Sequence, residues 1–579
     1  MTYIPAWMED IREKYKTAVA NAFILTGNIV DYCSENLDLK KFLCDYITQT
    51  GQDDMRMTKV YFYDVESLGR RVYPSAADSK DESNISWRTF MEKIKENIPS
   101  DERRAFVFLY PEFLVPESNK VYEEEQKRIV SLHSTLNSYE FINSNNTVFI
   151  ITESTKDINE KFTGANSKTA VCEIPLPDEN GRKAFIEYYL DSQIRRDSRY
   201  KACIEKWPLS VDQLTNLTAG LQLVAIEDVL LSAFTKERKK LEGKLPADTV
   251  CISHETVMDR KKEVITKEYG DVIEIFDTAK LRLEDFAGQE DLKAYFKEVV
   301  IASFQNREIA SIAPKGIIMM GPPGTGKTYF ARCMAGDAGI NFIEFKMSRI
   351  LGKYVGESEK SMERALSVFR ALAPVGVFID EIDQAFATRT DGGTGSSVNN
   401  NLFGMLLTEM AKPENRGRIL WLAATNYPNK VDEALKRAGR FDKKVPFFAP
   451  NEEERREVFL YHLKRHGFVI EDVESLNRIV SDTDGYTQAE IEAVVVKAEE
   501  LMKRKNNRAE AMEMLMLAKS YMISAQNANI KNMEDLALAD CNDAEFIPEQ
   551  KREYHKKLMH LNPEQNEISG VINRSNTDR

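Results

Sequence analysis

The chain has 579 residues, 42% hydrophobic and 30% charged, with a formal net charge of −13. This balance implies a soluble protein of roughly three or four domains or subdomains, and the acidic excess argues against a protein that coats nucleic acid, which needs a basic footprint. No stretch approaches the roughly eighteen apolar residues of a membrane span, the N-terminus MTYIPAWMEDIREKYK lacks a signal-peptide core, and the seven scattered cysteines form no CxxC pair, so a reducing, cytoplasmic compartment is expected.

Within residues 1–250, short apolar runs alternate with longer helical patterns: AFILT (22–26), KVYFYDV (59–65), AFVFLY (105–110), NTVFII (146–151) and TAVCEI (169–174). Strands spaced by helices predict a parallel α/β sheet. A helical region with apolar periodicity follows, including IEDVLLSAF (226–234). The stretch 235–280 is rich in charge and reads either as a connecting segment, with the linker placed at 251–282, or as a solvated helix face inside a domain. The alternation then resumes with GIIMM (316–320), NFIEF (341–345), VGVFI (375–379), ILWLAA (419–424) and KVPFF (444–448). A mostly helical region occupies 452–540, and the polar end from about 560 is expected to fray.

The two halves look like an internal repeat. A shift of 273 places Thr152 on Thr425, Glu160 on Glu433, Pro177 on Pro450, Arg182 on Arg455 and Tyr188 on Tyr461; a shift of 265 places GLQLVAIEDVLLSA (220–233) on GYTQAEIEAVVVKA (485–498).

The chemistry sits in the second half. The run GIIMM enters Gly321-Pro-Pro-Gly-Thr-Gly-Lys-Thr328, which leads into a helix-compatible segment, the strand–loop–helix order of a P-loop. Glycines let several backbone N–H groups point at phosphates, the helix start adds partial positive charge, Lys327 reaches the β/γ-phosphates and the Thr328 hydroxyl suits Mg²⁺. Fifty-three residues on from Lys327, VGVFIDEID ends an apolar strand in Asp380 and Glu381, a Mg²⁺ ligand and a residue able to polarise water. ILWLAATN then puts Asn426 at a strand end, where a side-chain amide can orient that water. Arg437 and Arg440 are either surface cations paired with local acids or fingers that reach a neighbouring subunit's γ-phosphate.

These motifs, with the block LAATNYPNKVDEALKRAGRFDKKVPFFAP, make residues 283–498 resemble the AAA family of AAA+ ATPases, the family of katanin, spastin, FtsH and the proteasomal ATPases. The resemblance implies an α/β fold of two tandem AAA+ modules, each a parallel P-loop NTPase sheet with a helical lid. It implies a Mg²⁺-dependent ATPase that forms a homo-oligomer, a hexameric ring, and remodels protein substrates through a central pore, or else a nucleotide-gated scaffold that threads nothing. By resemblance Lys327 and Thr328 belong to Walker A, Asp380 and Glu381 to Walker B, Asn426 is sensor 1, and Arg437 and Arg440 are arginine fingers. Pro323, Gly324, Thr325, Gly326 and Tyr329 are implied nucleotide contacts. Gly288 in LEDFAGQEDLK, with Gly485 and Ala489 in GYTQAEI, would line the adenine, although Gln488 replaces a usual glycine. Lys353, Tyr354 and Val355 resemble a first pore loop, for which the alternative is a packed tyrosine at a helix start, and Arg389 occupies the position of a second.

The first half lacks these groups. Gly27-Asn28 has no Gly-Lys-Thr after it, Tyr110-Pro111 stands about where Asp-Glu would, and the 273 shift puts Glu153 on Asn426, Gly164 on Arg437 and Ser167 on Arg440. Residues 1–250 therefore read as a degenerate AAA-like module, an arrangement that resembles the AAA proteins of cyanobacterial and plastid hypothetical reading frames. The remaining boundaries are expected at 283–450 for the large ATPase subdomain, 451–545 for the lid and 546–579 for a C-terminal extension.

Overall fold

A computed structural model describes residues 3–50, 55–74, 83–96, 102–117, 122–163, 169–351, 357–385, 395–468, 473–504, 511–522 and 527–561. The chain forms two compact units, Met1–Val264 and Ile265–Arg579.

In the first unit, strands β1 (Ala22–Gly27), β2 (Lys59–Asp64), β3 (Leu68–Tyr73), β4 (Arg104–Leu109), β5 (Asn146–Ile151) and β6 (Thr169–Ile174) form one sheet in the order β3-β2-β4-β5-β1-β6. All pairings are parallel except β2 with β3. In the second, β7 (Ile273–Phe276), β8 (Gly316–Met320), β9 (Asn341–Phe345), β10 (Val375–Ile379), β11 (Ile419–Thr425) and β12 (Lys443–Pro446) lie in the order β12-β8-β11-β10-β9-β7, parallel except β7 with β9. The ten expected strands are all present, and β4, β5, β8, β10 and β11 are buried along their whole length, as strands covered on both faces must be.

Stripped of the antiparallel strand, both sheets have the same order. Numbering the parallel strands by their occurrence in each unit gives 5-1-4-3-2 twice, with the antiparallel strand added beside strand 2 each time. The sources of that edge strand differ: β3 follows strand 2 directly, whereas β7 precedes strand 1. Neither edge strand is evident from the sequence, because LGRRVY and IEIF carry polar residues on a solvated face and show no apolar run.

The helical parts repeat as well. Arg182, on helix Glu179–Arg196, donates Nη1 to the Pro177 carbonyl at 2.7 Å and Nε to that of Thr215 at 3.1 Å. Arg455, on helix Glu452–Arg465, donates Nη1 to the Pro450 carbonyl at 3.1 Å and Nε to that of Val480 at 3.2 Å. Thr218 bonds the carbonyls of Leu214 and Thr215 as Thr483 bonds those of Ile479 and Val480. Both sequence shifts, 273 and 265, therefore correspond to equivalent buried hydrogen bonds.

Three expected boundaries change. The proposed linker 251–282 contains helix His254–Tyr269 and β7; Val257 of that helix and Ile252 before it join the apolar core around Phe185, Leu230 and Phe234, so the in-domain alternative holds there. The lid ends earlier than 545: its core is built from helices Glu452–Arg465, Val473–Asp482, Gln488–Arg504 and Ala511–Tyr521. Helix Asn527–Asp540 instead returns to the sheet, where Asp540 pairs with Lys436 at 2.9 Å and Lys444 at 3.2 Å. Phe546 then meets Tyr295 edge-on at 4.8 Å inside the large-subdomain core, so the start of the proposed extension is integral to that core. Helix Glu549–Leu561 follows, and residues 562–579 lie outside the described residues.

Candidate nucleotide site

The loop leaving β8 begins with a close approach. Gly321 (φ +143°) sits against the residue that follows β12, where a Cβ would lie 2.1 Å from the Phe447 carbonyl oxygen. Any side chain there would push the loop off the sheet. Beyond it, Thr325 is buried and donates to the Pro322 carbonyl at 2.9 Å, while Pro323 is exposed. Helix Lys327–Ala338 starts after Gly326, so its first amides face the loop. Lys327 Nζ donates to the carbonyls of Gly321 (2.8 Å) and Pro322 (2.7 Å) and to Asn426 Oδ1 (3.0 Å). Lys327 and Asn426 thus meet. Burial pushes the Lys327 pKa down to about 8, against the opposing pull of Asp380 and Asp383.

Thr328 Oγ1 lies 3.4 Å from Asp380 Oδ2, so hydroxyl and carboxylate converge on one spot. That pair of hard oxygen ligands fits Mg²⁺, which keeps several waters and takes few protein ligands. Glu381 is exposed, adopts a left-handed backbone (φ +47°) and donates its N–H to Asp380 Oδ1 at 3.0 Å. For a glutamate this conformation costs about 1 kcal/mol. It is held by the adjoining turn, in which Gln384 N–H donates to the Glu381 carbonyl. Sequence reasoning passed over Asp383, the third carboxylate of FIDEID. It is buried and accepts from Thr425 Oγ1 at 2.6 Å, and Thr425 Oγ1 accepts from Tyr427 N–H at 3.0 Å, which fixes the backbone on both sides of Asn426.

The lid closes the other side. Ala489 N–H donates to the Gly324 carbonyl at 3.0 Å. Gln488 is not a gap in the pattern: its Nε2 donates to the Ala287 carbonyl at 3.0 Å, and its Oε1 would lie 2.5 Å from a Cβ at Gly326 (φ +83°). The extra side chain therefore bridges the 286–289 turn to the loop. Gly288 packs on Glu454, whose Oε1 accepts from Gln289 N–H at 3.0 Å; Gly485 turns at φ +75° before the lid helix; Tyr329 hydroxyl meets that of Tyr461 at 3.0 Å.

Arg437 and Arg440 are elsewhere. A Cβ on Gly316, the first residue of β8, would lie 2.5 Å from the Arg440 carbonyl, whereas the P-loop leaves the last residue. Four residue steps along the strand separate the two ends by about 13 Å. Arg437 is exposed, and Arg440 Nη1 donates to the Ala434 carbonyl. Lys353, Tyr354, Val355 and Arg389 lie outside the described residues, as do Gly164 and Ser167.

The first unit keeps the frame without the chemistry. Gly27 (φ +90°) sits against Ile174 as Gly321 does against Phe447. Sheet register corrects one alignment by a residue: Leu25 and Leu109 both pair with Ile151, Met319 pairs with Ala424, and Ile379 with Ala423. Hence Leu109 stands at the position of Asp380 and Tyr110 at that of Glu381. Tyr110 retains the left-handed backbone (φ +53°) although its carboxylate is gone. In place of a phosphate-binding loop, the buried carboxylate of Asp31 accepts from the N–H groups of Tyr32 (2.8 Å), Leu223 (2.9 Å) and Val224 (3.0 Å) and from Asn28 Nδ2 (3.0 Å). Val224 corresponds to Ala489 by the 265 shift, so a protein carboxylate occupies the start of the helix that borders the P-loop in the second unit.

Sheet order, loop and carboxylates define a P-loop nucleoside triphosphatase. Comparison with known proteins narrows this: residues 317–448 match the model described as ATPase family associated with various cellular activities (AAA), residues 2–175 that of the AAA+ chaperone, N-terminal Rossmann-like domain, and residues 180–270 that of the AAA+ chaperone, second helical domain. The chain carries an AAA ATPase domain behind an N-terminal Rossmann-like and a second helical domain of the AAA+ chaperone type. It is similar to a cell division cycle protein 48 homolog of Archaeoglobus fulgidus (29% identical over 458 residues, 75% of this chain and 59% of the relative). It is also similar to a proteasome-activating nucleotidase of Methanocaldococcus jannaschii (34% over 262 residues, 44% and 60%) and an ATP-dependent zinc metalloprotease FtsH of Pelobacter propionicus (33% over 273 residues, 46% and 44%). The chain spans about half the length of these curated relatives. No helix among the described residues is long and apolar enough to cross a membrane.

Proposed function

We propose that the second unit hydrolyses ATP with Mg²⁺ and that the chain assembles into a ring, a hexamer, that remodels protein substrates. The observation that supports hydrolysis is the convergence of Lys327, Asn426, Thr328 and Asp380 at the end of β8 and its neighbours. Lys327 exchanges its carbonyl partners for the β/γ-phosphates, Glu381 takes a proton from the attacking water, and Asn426 orients that water. Thr328 and Asp380 would hold Mg²⁺, which when bound would supply positive charge against the phosphates. The ring reading rests on the arginines: standing at the far end of β8 from their own loop, they have a phosphate to meet only on another subunit. Threading through a pore predicts that Tyr354→Ala keeps ATP hydrolysis while unfolding of a tagged model substrate falls at least about tenfold. Unfolding at the parent rate would favour the scaffold alternative.

The first unit, in this reading, binds no nucleotide, because it lacks counterparts of Lys327, Thr328 and Asp380 and the Asp31 carboxylate already takes up the amides of Leu223 and Val224 at the helix start. The full chain carrying Lys327→Ala should then show no calorimetric binding of Mg·ATP. A residual 1:1 site would assign a second nucleotide pocket to residues 1–264.

The depressed Lys327 pKa gives a signed pH dependence. Above pH 8 the free side chain is largely neutral, and phosphate favours the charged form, so binding must take up a proton. Calorimetry in buffers of different ionisation enthalpy should show uptake approaching one proton at about pH 9 and little at about pH 7, with affinity falling up to about tenfold per unit above pH 8. Equal uptake at both values would show that Lys327 stays protonated throughout.

A further inference from the structure

We propose a transition-metal site in the lid, formed by His462 on helix Glu452–Arg465, His466 at the C-cap of that helix, and Glu492 on helix Gln488–Arg504. The two histidines are four residues apart and so share one helix face. One ligand atom from each of the three side chains lies within 4.8 Å of the other two.

Two further observations separate this cluster from an ordinary ion pair. His462 is only 9% exposed, and its Nδ1 has no hydrogen-bond partner. Glu492 Oε1 is 3.7 Å from that nitrogen, too far for a hydrogen bond. It is close to the edge of about 3.4 Å that two ligands of one tetrahedral zinc subtend. His466 supplies the second: its Nδ1 meets Glu499 Oε2 at 2.6 Å, and Glu499 is itself held by Lys503 at 2.5 Å. A carboxylate on one ring nitrogen fixes the tautomer and leaves the other nitrogen for the metal, the arrangement found behind metal-ligating histidines. Two imidazoles and one carboxylate select zinc, cobalt or nickel over magnesium or calcium, which prefer all-oxygen shells. Water completes the fourth position, since Glu492 is 45% exposed.

The site would tie the first lid helix to the helix whose Ala489 N–H touches the P-loop, with Glu492 three residues beyond that contact. Its occupancy would therefore stiffen the lid where it borders the nucleotide. The test uses the full chain, stripped with a chelator and titrated with cobalt(II) chloride and then zinc chloride in the absence of nucleotide. One cobalt per chain is expected, with ligand-field absorption, no thiolate charge-transfer band, displacement by zinc and a rise in melting temperature. His466→Gln and Glu492→Gln, at partly exposed positions that preserve the fold, should each weaken binding at least about a hundredfold, and Glu499→Gln about tenfold. Failure to bind cobalt, a thiolate band from the cysteines, or unchanged affinity in His466→Gln and Glu492→Gln would each overturn the site.

Discussion

Glu381→Gln should hold Mg·ATP as tightly as the parent chain and turn it over about a hundred- to a thousandfold more slowly. The reasoning is local. Glu381 makes no contact with Lys327 among the described residues, and the groups that cradle phosphate, Gly321 to Thr328, do not depend on its charge. What glutamine cannot do is accept a proton from water, and a positioned general base contributes about 10²–10⁴ to a rate. The left-handed backbone at Glu381 is shared by the non-acidic Tyr110, so the amide should be tolerated in the same turn. Radiolabelled ATP retention on a filter, set beside phosphate release, separates the two effects. Release at the parent rate would remove Glu381 from the reaction.

Arg440→Ala should be inactive alone and should regain activity when mixed with a chain that lacks a working P-loop but keeps its arginines. An arginine finger supplied by a neighbour is worth about 10³–10⁵ in turnover. In a ring, each altered subunit leaves one neighbouring P-loop without its finger but keeps its own, so activity should fall in proportion to the altered fraction, and mixing Arg440→Ala with Lys327→Ala, which keeps its fingers, should restore activity that neither has alone. Specific activity of the parent should also climb with protein concentration as rings assemble. A chain that sediments as a monomer with concentration-independent activity, or a mixture of Arg440→Ala and Lys327→Ala that stays inactive, would refute action across an interface.

The central strands were legible because burial on both faces leaves an unbroken apolar run, as in GIIMM or VGVFI. Edge strands β3 and β7 were not, since one half of each is solvated. The P-loop and Walker B residues announce themselves by glycine spacing and by carboxylates after an apolar run, and the structure gathers them. Asp383 escaped because a third acid in FIDEID looks redundant until Thr425 is seen to bond it. In the first unit, Tyr110 continues the aromatic run AFVFLY and hides the strand end, which only pairing with β5 locates at Leu109. The lid boundary was missed for a different reason. Apolar positions in 527–540 show that the helix is buried on one side, not which body it packs on; the ion pairs of Asp540 decide that.

The Arg455 clamp has a mechanical consequence. Pro450 is bolted to the lid through Arg455, while its neighbour Ala449 is held by Glu534 of the helix that packs on the sheet, with N–H to Oε1 at 2.8 Å. The crossing of the chain from body into lid is thereby squeezed to little more than one peptide unit, and the return crossing runs between helices Ala511–Tyr521 and Asn527–Asp540. A short fulcrum has no slack: any rotation of the lid swings all four of its helices together, like an oar in a tight rowlock. Work done at the nucleotide would be delivered to the lid's far end with little lost to bending on the way.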